Sequence, residues 1–189
     1  MAADQRMIQL LSYYRDAELH GANLLMRLLK LMDDPDAQVK LSLHLSDETH
    51  HAWLWTKRIS DLGGAPIRLA DGYQTRIGVR TVPRTLIDLL ALTVVVEERA
   101  QARYEEHAGR PNVDAETLEV LHAVTKDEKW HISWIKAKLD ELAAKEGAEE
   151  RARVAMERYR EIDERVYADL AAMEREAFGN ELDTPQSTP

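Results

Sequence analysis

Two copies of one short pattern, Glu48-Thr-His-His51 and Glu128-Lys-Trp-His131, lie eighty residues apart in the chain. Each is Glu-x-x-His. On an α-helix, positions i and i+3 share a face, so each copy aims a carboxylate and an imidazole at one point. A lone carboxylate precedes each copy by about thirty residues: Glu18 before the first, Glu97 or Glu98 before the second. Four carboxylates and two imidazoles converging inside a helical bundle can bind two metal ions. The pattern therefore asks for four helices with their acids turned inward.

Helical phase sorts the candidates. Glu18 lies on one stripe with Leu11, Tyr14, Ala22 and Leu25, and Glu48 and His51 lie on the stripe that runs from Leu41 to Ile59. Glu128 shares a face with Leu121, Val124, Ile135 and Leu139. A third Glu-x-x-His, Glu119 with His122, falls roughly opposite and reads as surface. On the third long helix Glu97 is in phase with Leu86, Leu90 and Tyr104, whereas Glu98 is in phase with Glu105 on the charged side. Phase favours Glu97. A carboxylate in the middle of an apolar stripe needs a partner, because an unpaired buried charge is very costly.

The apolar periodicity divides the chain into helices over residues 4–32, 37–62 and 85–108, a fourth that starts at Asp114, and a last over 148–178. Asp33-Asp34-Pro35-Asp36 stops the first and caps the second, and Gly63-Gly64 with Pro66 ends the second. Residues 65–84 lose the pattern and read as a long crossover, which a bundle needs if its second and third helices run parallel. The expected architecture is all-α: an antiparallel four-helix bundle over 1–146, an amphipathic helix over 147–179 and a disordered tail over 180–189. The last helix draws its apolar surface from Val154, Ile162, Val166, Leu170 and Met173, and is expected to lie on the bundle or on a second subunit. The two halves repeat one arrangement, an inward Glu followed by Glu-x-x-His.

With no cysteine the chain has no disulfide, thiolate metal site, iron–sulfur cluster or cysteine nucleophile, which fits a cytoplasmic location. A net charge of −9 argues against nucleic acid and anionic membrane as partners. The longest apolar stretch, 86–96, is broken by Asp88 and Thr93 and is too short to span a bilayer.

The order Glu, Glu-x-x-His, Glu, Glu-x-x-His resembles that of the ferritin-like superfamily of di-iron carboxylate proteins. Lys126-Asp-Glu128-Lys-Trp-His131-Ile-Ser-Trp134 is similar to the fourth-helix signature of bacterioferritins and related di-iron oxygenases. The resemblance spans residues 5–142. It implies a ferritin-like bundle with Glu18, Glu48, His51, Glu97, Glu128 and His131 as ligands to two iron ions, with manganese or a mixed pair as alternatives. Glu48 and Glu128 would bridge, and Glu18 and Glu97 would be terminal. The activity implied is that of an oxidoreductase using O2 or peroxide on a small molecule, or else an iron-binding ferroxidase without organic substrate. A homodimer is the default assembly. The chain departs from rubrerythrins in lacking cysteine and from ferritins in its crossover and charged last helix. Its acidity sets it apart from tRNA-modifying relatives.

Several side chains near this set have a plainer reading. His44 lies one turn before Glu48 and reads as a satisfied core histidine ahead of an extra ligand. Tyr14 and Tyr104 read as core packing ahead of redox or hydrogen-bonding partners of the ligands. Of the tryptophans, Trp55 faces the core. Trp53, Trp130 and Trp134 are expected to pack on the last helix or a partner. His107 reads as peripheral, and His20 and His50 point away from the site face.

Overall fold

The computed structural model describes residues 2–69 and 72–178. Its elements are α1 (Ala2–Leu31), α2 (Pro35–Asp61), α3 (Tyr73–Arg80), α4 (Leu86–Ala108), α5 (Ala115–Glu146) and α6 (Glu149–Phe178), with no strand among the described residues. α1 and α2 form one antiparallel hairpin and α4 and α5 another. α1 packs on α4 and α2 on α5, which closes a four-helix bundle. None of these helices is long and apolar enough to cross a membrane.

Local chemistry sets the ends. Asp34 caps α2 by accepting from the Asp36 amide, and Pro35 fills the first turn, where no amide donor is needed. Gln38 reaches back to the carbonyls of Leu29 and Met32, at 2.7 and 2.5 Å, and ties the end of α1 to the start of α2. Thr85 and Asp88 form a reciprocal capping box at α4, and Asp114 caps α5 through the Thr117 amide. Gly147 ends α5 in the left-handed region, φ 62°, which any other residue would enter with strain.

The crossover differs from the irregular connection expected. It contains α3, whose eight residues are too few to show a periodic stripe. Tyr73 and Ile77 are buried beneath it. Its approach is pinned where the Ile67 amide donates to Ser12 Oγ at 3.0 Å.

The core is split in two along the bundle axis. One apolar cluster contains Leu11, Tyr14, Trp55, Ile59, Tyr104, Leu121 and Val124. The other contains Leu25, Leu28, Leu41, Leu90, Val94, Ile135 and Leu139. On each of α1, α2, α4 and α5 the residues between these clusters include Glu18, Glu48, Glu97 or Glu128. A layer of acids and imidazoles is thus closed above and below by hydrocarbon.

α6 lies on the same chain's bundle, against α4, α3 and α5. Ala155, Tyr159, Val166 and Leu170 form its buried stripe, joined by half-buried Ile162. Val154 is exposed, because it sits one residue out of phase with that stripe. The Met173 side chain and the expected disordered tail lie outside the described residues. Buried Asp163 fixes the helix: Arg99 grips its carboxylate at 2.5–3.1 Å, and the Tyr73 hydroxyl donates to it at 2.6 Å. One carboxylate therefore joins α3, α4 and α6. Asp163→Ala leaves the Tyr73 hydroxyl unpaired and Arg99 without its carboxylate, with its place over the Tyr167 ring retained, and the expected loss is about 2 to 3 kcal/mol of unfolding free energy. Urea denaturation measures it, and a loss below about 0.5 kcal/mol, the level of an ordinary surface change, would show the clamp to be idle.

Candidate metal centre

Glu18 comes from α1, Glu48 and His51 from α2, Glu97 from α4, and Glu128 and His131 from α5. All six lie in the one layer between the apolar clusters. His44 of α2 lies there too, and each of the seven is at most 4% exposed. Glu98, by contrast, points outward to Lys136 at 2.5 Å and Arg160 at 3.1 Å. Glu119 and His122 are exposed on α5.

The layer divides into two groups of donor atoms that lie close together: His44, Glu48, Glu97 and His131; and Glu18, Glu48, His51 and Glu128. Glu48 belongs to both. Glu128 spans the layer, with Oε1 3.7 Å from His51 Nδ1 and Oε2 3.5 Å from His131 Nδ1. His51 Nδ1 stands 3.5 Å from Glu18, and His131 Nδ1 stands 3.5 Å from Glu48. His44 Nε2 is 3.4 Å from Glu48 and 3.5 Å from Glu97. These contacts are longer than a good N–H···O bond. They match the edges of a coordination polyhedron: donors about 2.1 Å from one tetrahedral ion sit about 3.4 Å apart.

Orphaned atoms support that fit. Both nitrogens of His44, Nδ1 of His51 and His131, Oε1 of Glu48 and Glu97, and both oxygens of Glu128 are buried without a hydrogen-bond partner among the described residues. Leaving so many polar atoms unpaired costs a few kcal/mol each unless something fills the space between them. The cluster is therefore suited to bind cations.

Groups around the layer hold these side chains in place. His51 Nε2 faces Asp127, and His131 Nε2 faces Asp47, each at 3.2 Å. Each aspartate sits beside the glutamate of one helix and meets the histidine of the other. With Nε2 so engaged, Nδ1 is left to point inward, the usual way a carboxylate fixes a ligating imidazole. Reading the sequence for phase missed both aspartates, although their signal is there: Asp precedes Glu in both copies, as Asp47-Glu48 and Asp127-Glu128. Glu18 accepts from the Tyr104 hydroxyl and from Trp55 Nε1, the latter at 3.2 Å.

Gly21, one turn after Glu18, was also missed. A Cβ there would stand 2.2 Å from Glu48 Oε2, so the bare backbone makes room for that carboxylate. A narrow cleft of about 10 Å³ reaches the layer between α1 and α4, past Ala17, Gly21, Glu48 and Glu97.

Protons compete for the layer. Burial and the neighbouring Glu97 and Glu18 push Glu48 and Glu128 well above the usual carboxylate range. Burial opposes ionisation of Glu97 too, but the imidazoles of His44 and His131 outweigh it and hold this carboxyl low. Burial, aided by His44, lowers His131 to about 4. Burial would also lower His51, but Glu18 and Asp127 overcome it and raise its value.

Four expectations for nearby residues change. His44 is no satisfied core histidine, since neither of its nitrogens makes a good hydrogen bond. Tyr104 does more than pack, because it donates to Glu18. Trp130 and Trp134 join the cluster that holds the α6 stripe, but they also meet His44 edge-on at 6.1 and 5.8 Å and so wall one end of the layer, whereas Trp53 is exposed. His107 is buried, its Nδ1 3.1 Å from the hydroxyl of Tyr14 in the cluster built on Leu11 and Trp55.

Neither a family model nor a curated protein matches the chain. A solved structure does: the bacterioferritin-related protein from Bacteroides fragilis, described as a dodecameric thioferritin. The match has a TM-score of 0.63 and 21% identity, and covers 77% of this chain and 90% of that one. At this identity the likeness is one of fold. The chain has the ferritin-like fold, with a buried carboxylate and histidine cluster of the kind that can hold metal ions.

Two predictions follow from this geometry. Gly21→Ala displaces the Glu48 carboxylate, and is expected to weaken metal binding about tenfold or more with far-UV circular dichroism unchanged. Gly78→Ala, where an added Cβ meets nothing within 4 Å, is the control. Equal metal affinity in the two variants would show that Glu48 does not need this space. The second concerns pH. Raised values for Glu48 and Glu128 mean that their protonated forms favour the folded chain at acid pH, a contribution lost as pH rises toward those values. Bound cations take the place of those protons. The gain in Tm on adding Mn(II) should therefore grow between about pH 5 and pH 8. A gain that is flat or falls over that range would contradict the assignment.

Proposed function

We propose that the chain holds two metal ions, iron above all, side by side in this layer, and uses the pair to reduce O2 or peroxide while ferrous iron is oxidised. The observation that carries the reading is a set of six N···O separations of 3.4–3.7 Å, five of them between buried atoms without hydrogen-bond partners and the sixth from such an atom, His51 Nδ1, to Glu18. Glu48 and Glu128 would bridge, because each faces both donor groups. Glu18 and Glu97 would be terminal, and His51 and His131 would each serve one ion through Nδ1. Carboxylates with imidazole suit Fe(II), Mn(II) or a mixed pair. A ferrous pair held there would supply two electrons, enough with two protons from solvent to take O2 to hydrogen peroxide or hydrogen peroxide to water.

The chain's own groups do the rest. The apolar clusters keep bulk water from the layer. Asp47 and Asp127 hold the imidazole protons, and Tyr104 keeps its phenolic proton poised on Glu18, its value raised by burial and by that carboxylate. The cleft beside Gly21 has room for roughly one water-sized molecule, which suits a diatomic oxidant or a metal ion. Oligomer formation is part of the reading: the Bacteroides fragilis protein is a dodecamer, and a simple homodimer has no support from it.

Anaerobic loading of the metal-free protein with Fe(II), followed by O2 or peroxide, tests the proposal. About two irons per chain and prompt oxidation are expected. Glu48→Ala and Glu128→Ala should lose at least one iron, while Glu119→Ala retains both. Fewer than one iron per chain, or equal loss in all three variants, would refute it.

A further inference from the structure

We propose that His44 is a seventh metal-binding side chain, and that it makes the two metal positions chemically unequal. The proposal rests on the dinuclear reading above.

His44 sits one turn before Glu48 and is completely buried. Its Nε2 points between Glu48 and Glu97, and its ring stacks on His131 with centroids 3.6 Å apart. A buried histidine kept for packing has at least one ring nitrogen hydrogen-bonded. Neither nitrogen of His44 makes a hydrogen bond of good geometry: Nδ1 has no partner, and Nε2 stands 3.4 Å from Glu48 and 3.5 Å from Glu97. A histidine that merely steadies a ligand would approach it at ordinary hydrogen-bond distance, as Asp47 and Asp127 approach His131 and His51 at 3.2 Å. His44 instead keeps the longer 3.4–3.5 Å separations that donors to one ion keep from each other. Trp130 and Trp134, edge-on to the ring, hold it in that orientation.

The consequence is an uneven pair. One position offers His44, His131, Glu48 and Glu97 with the shared Glu128, two imidazoles with three carboxylates. The other offers His51 with Glu18, Glu48 and Glu128, one imidazole with three carboxylates. Imidazole-rich sites suit ions late in the first transition row, while carboxylate-rich sites suit hard ions such as Mn(II). The position next to His44 should therefore fill first with such late ions, and a mixed pair should order itself with the harder ion beside Glu18.

Co(II) is the probe, because its visible absorption and its paramagnetically shifted proton resonances report bound imidazole. The full-length, metal-free protein should bind two Co(II) ions of unequal affinity. At saturation it should show three shifted, solvent-exchangeable imidazole N–H resonances, from His44, His51 and His131. In His44→Ala and His44→Gln the tighter step should weaken about 10- to 100-fold and one resonance should vanish, with the weaker step held within about twofold. Two resonances in the saturated wild-type protein, or two unchanged binding steps in both variants, would overturn the proposal. The wild-type resonance count decides the matter even if a variant misfolds. Wild-type protein that retains fewer than two Co(II) ions would instead bring down the dinuclear reading itself, and this inference with it.

Discussion

Four carboxylates buried together in the middle of a helical bundle set the terms for everything else in this protein. Each alone would cost several kcal/mol to bury in ionised form, and their mutual repulsion adds to that. Protons offer partial relief, which is why burial and neighbouring acids raise Glu48 and Glu128 while two imidazoles hold Glu97 low. Divalent cations offer more complete relief, because they satisfy charge and orphaned lone pairs together. Such a layer favours folding with metal over folding without it.

The rest of the architecture serves to hold that layer and keep it dry. Apolar plugs lie on either side of it along the bundle, one built on Leu11, Trp55 and Leu121, the other on Leu25, Leu90 and Ile135. Packing of this kind fixes the rotamers of the acids between the plugs. Asp47 and Asp127 cross from one helix pair to the other and fix the imidazoles. Gly21 leaves room for Glu48 to sit where both donor groups need it. α6 covers the outer side of α4 and is held there by Asp163, so α4 is buried all round from Leu89 to Glu97.

This explains what was legible in the sequence and what was not. Helices with one apolar face, α1, α2 and α5, carry a clear stripe, and their inward residues could be read directly from phase. On α4 the run Leu89–Val96 is buried without interruption, so the apolar pattern blurs just where Glu97 and Glu98 must be told apart. The structure separates them by their surroundings, hydrocarbon and imidazole around one, Lys136 and Arg160 beside the other. α3 escaped notice because two turns of helix leave no periodic trace. His44 was undervalued because phase places a side chain on a face but does not say whether its nitrogens find partners. Asp47 and Asp127 were passed over because they lie off the inward face and act on the opposite helix, although the repeated Asp-Glu-x-x-His was in view.

The central claim is that the layer holds two cations close enough to share Glu48 and Glu128. Mössbauer spectroscopy of protein loaded with 57Fe(II) and then exposed to O2 tests it most directly. The account predicts quadrupole doublets from a spin-coupled diferric pair with no net magnetism. Isolated high-spin ferric ions with magnetic splitting, at any loading, would mean that the carboxylates do not bring two metals together and that the dinuclear account is wrong.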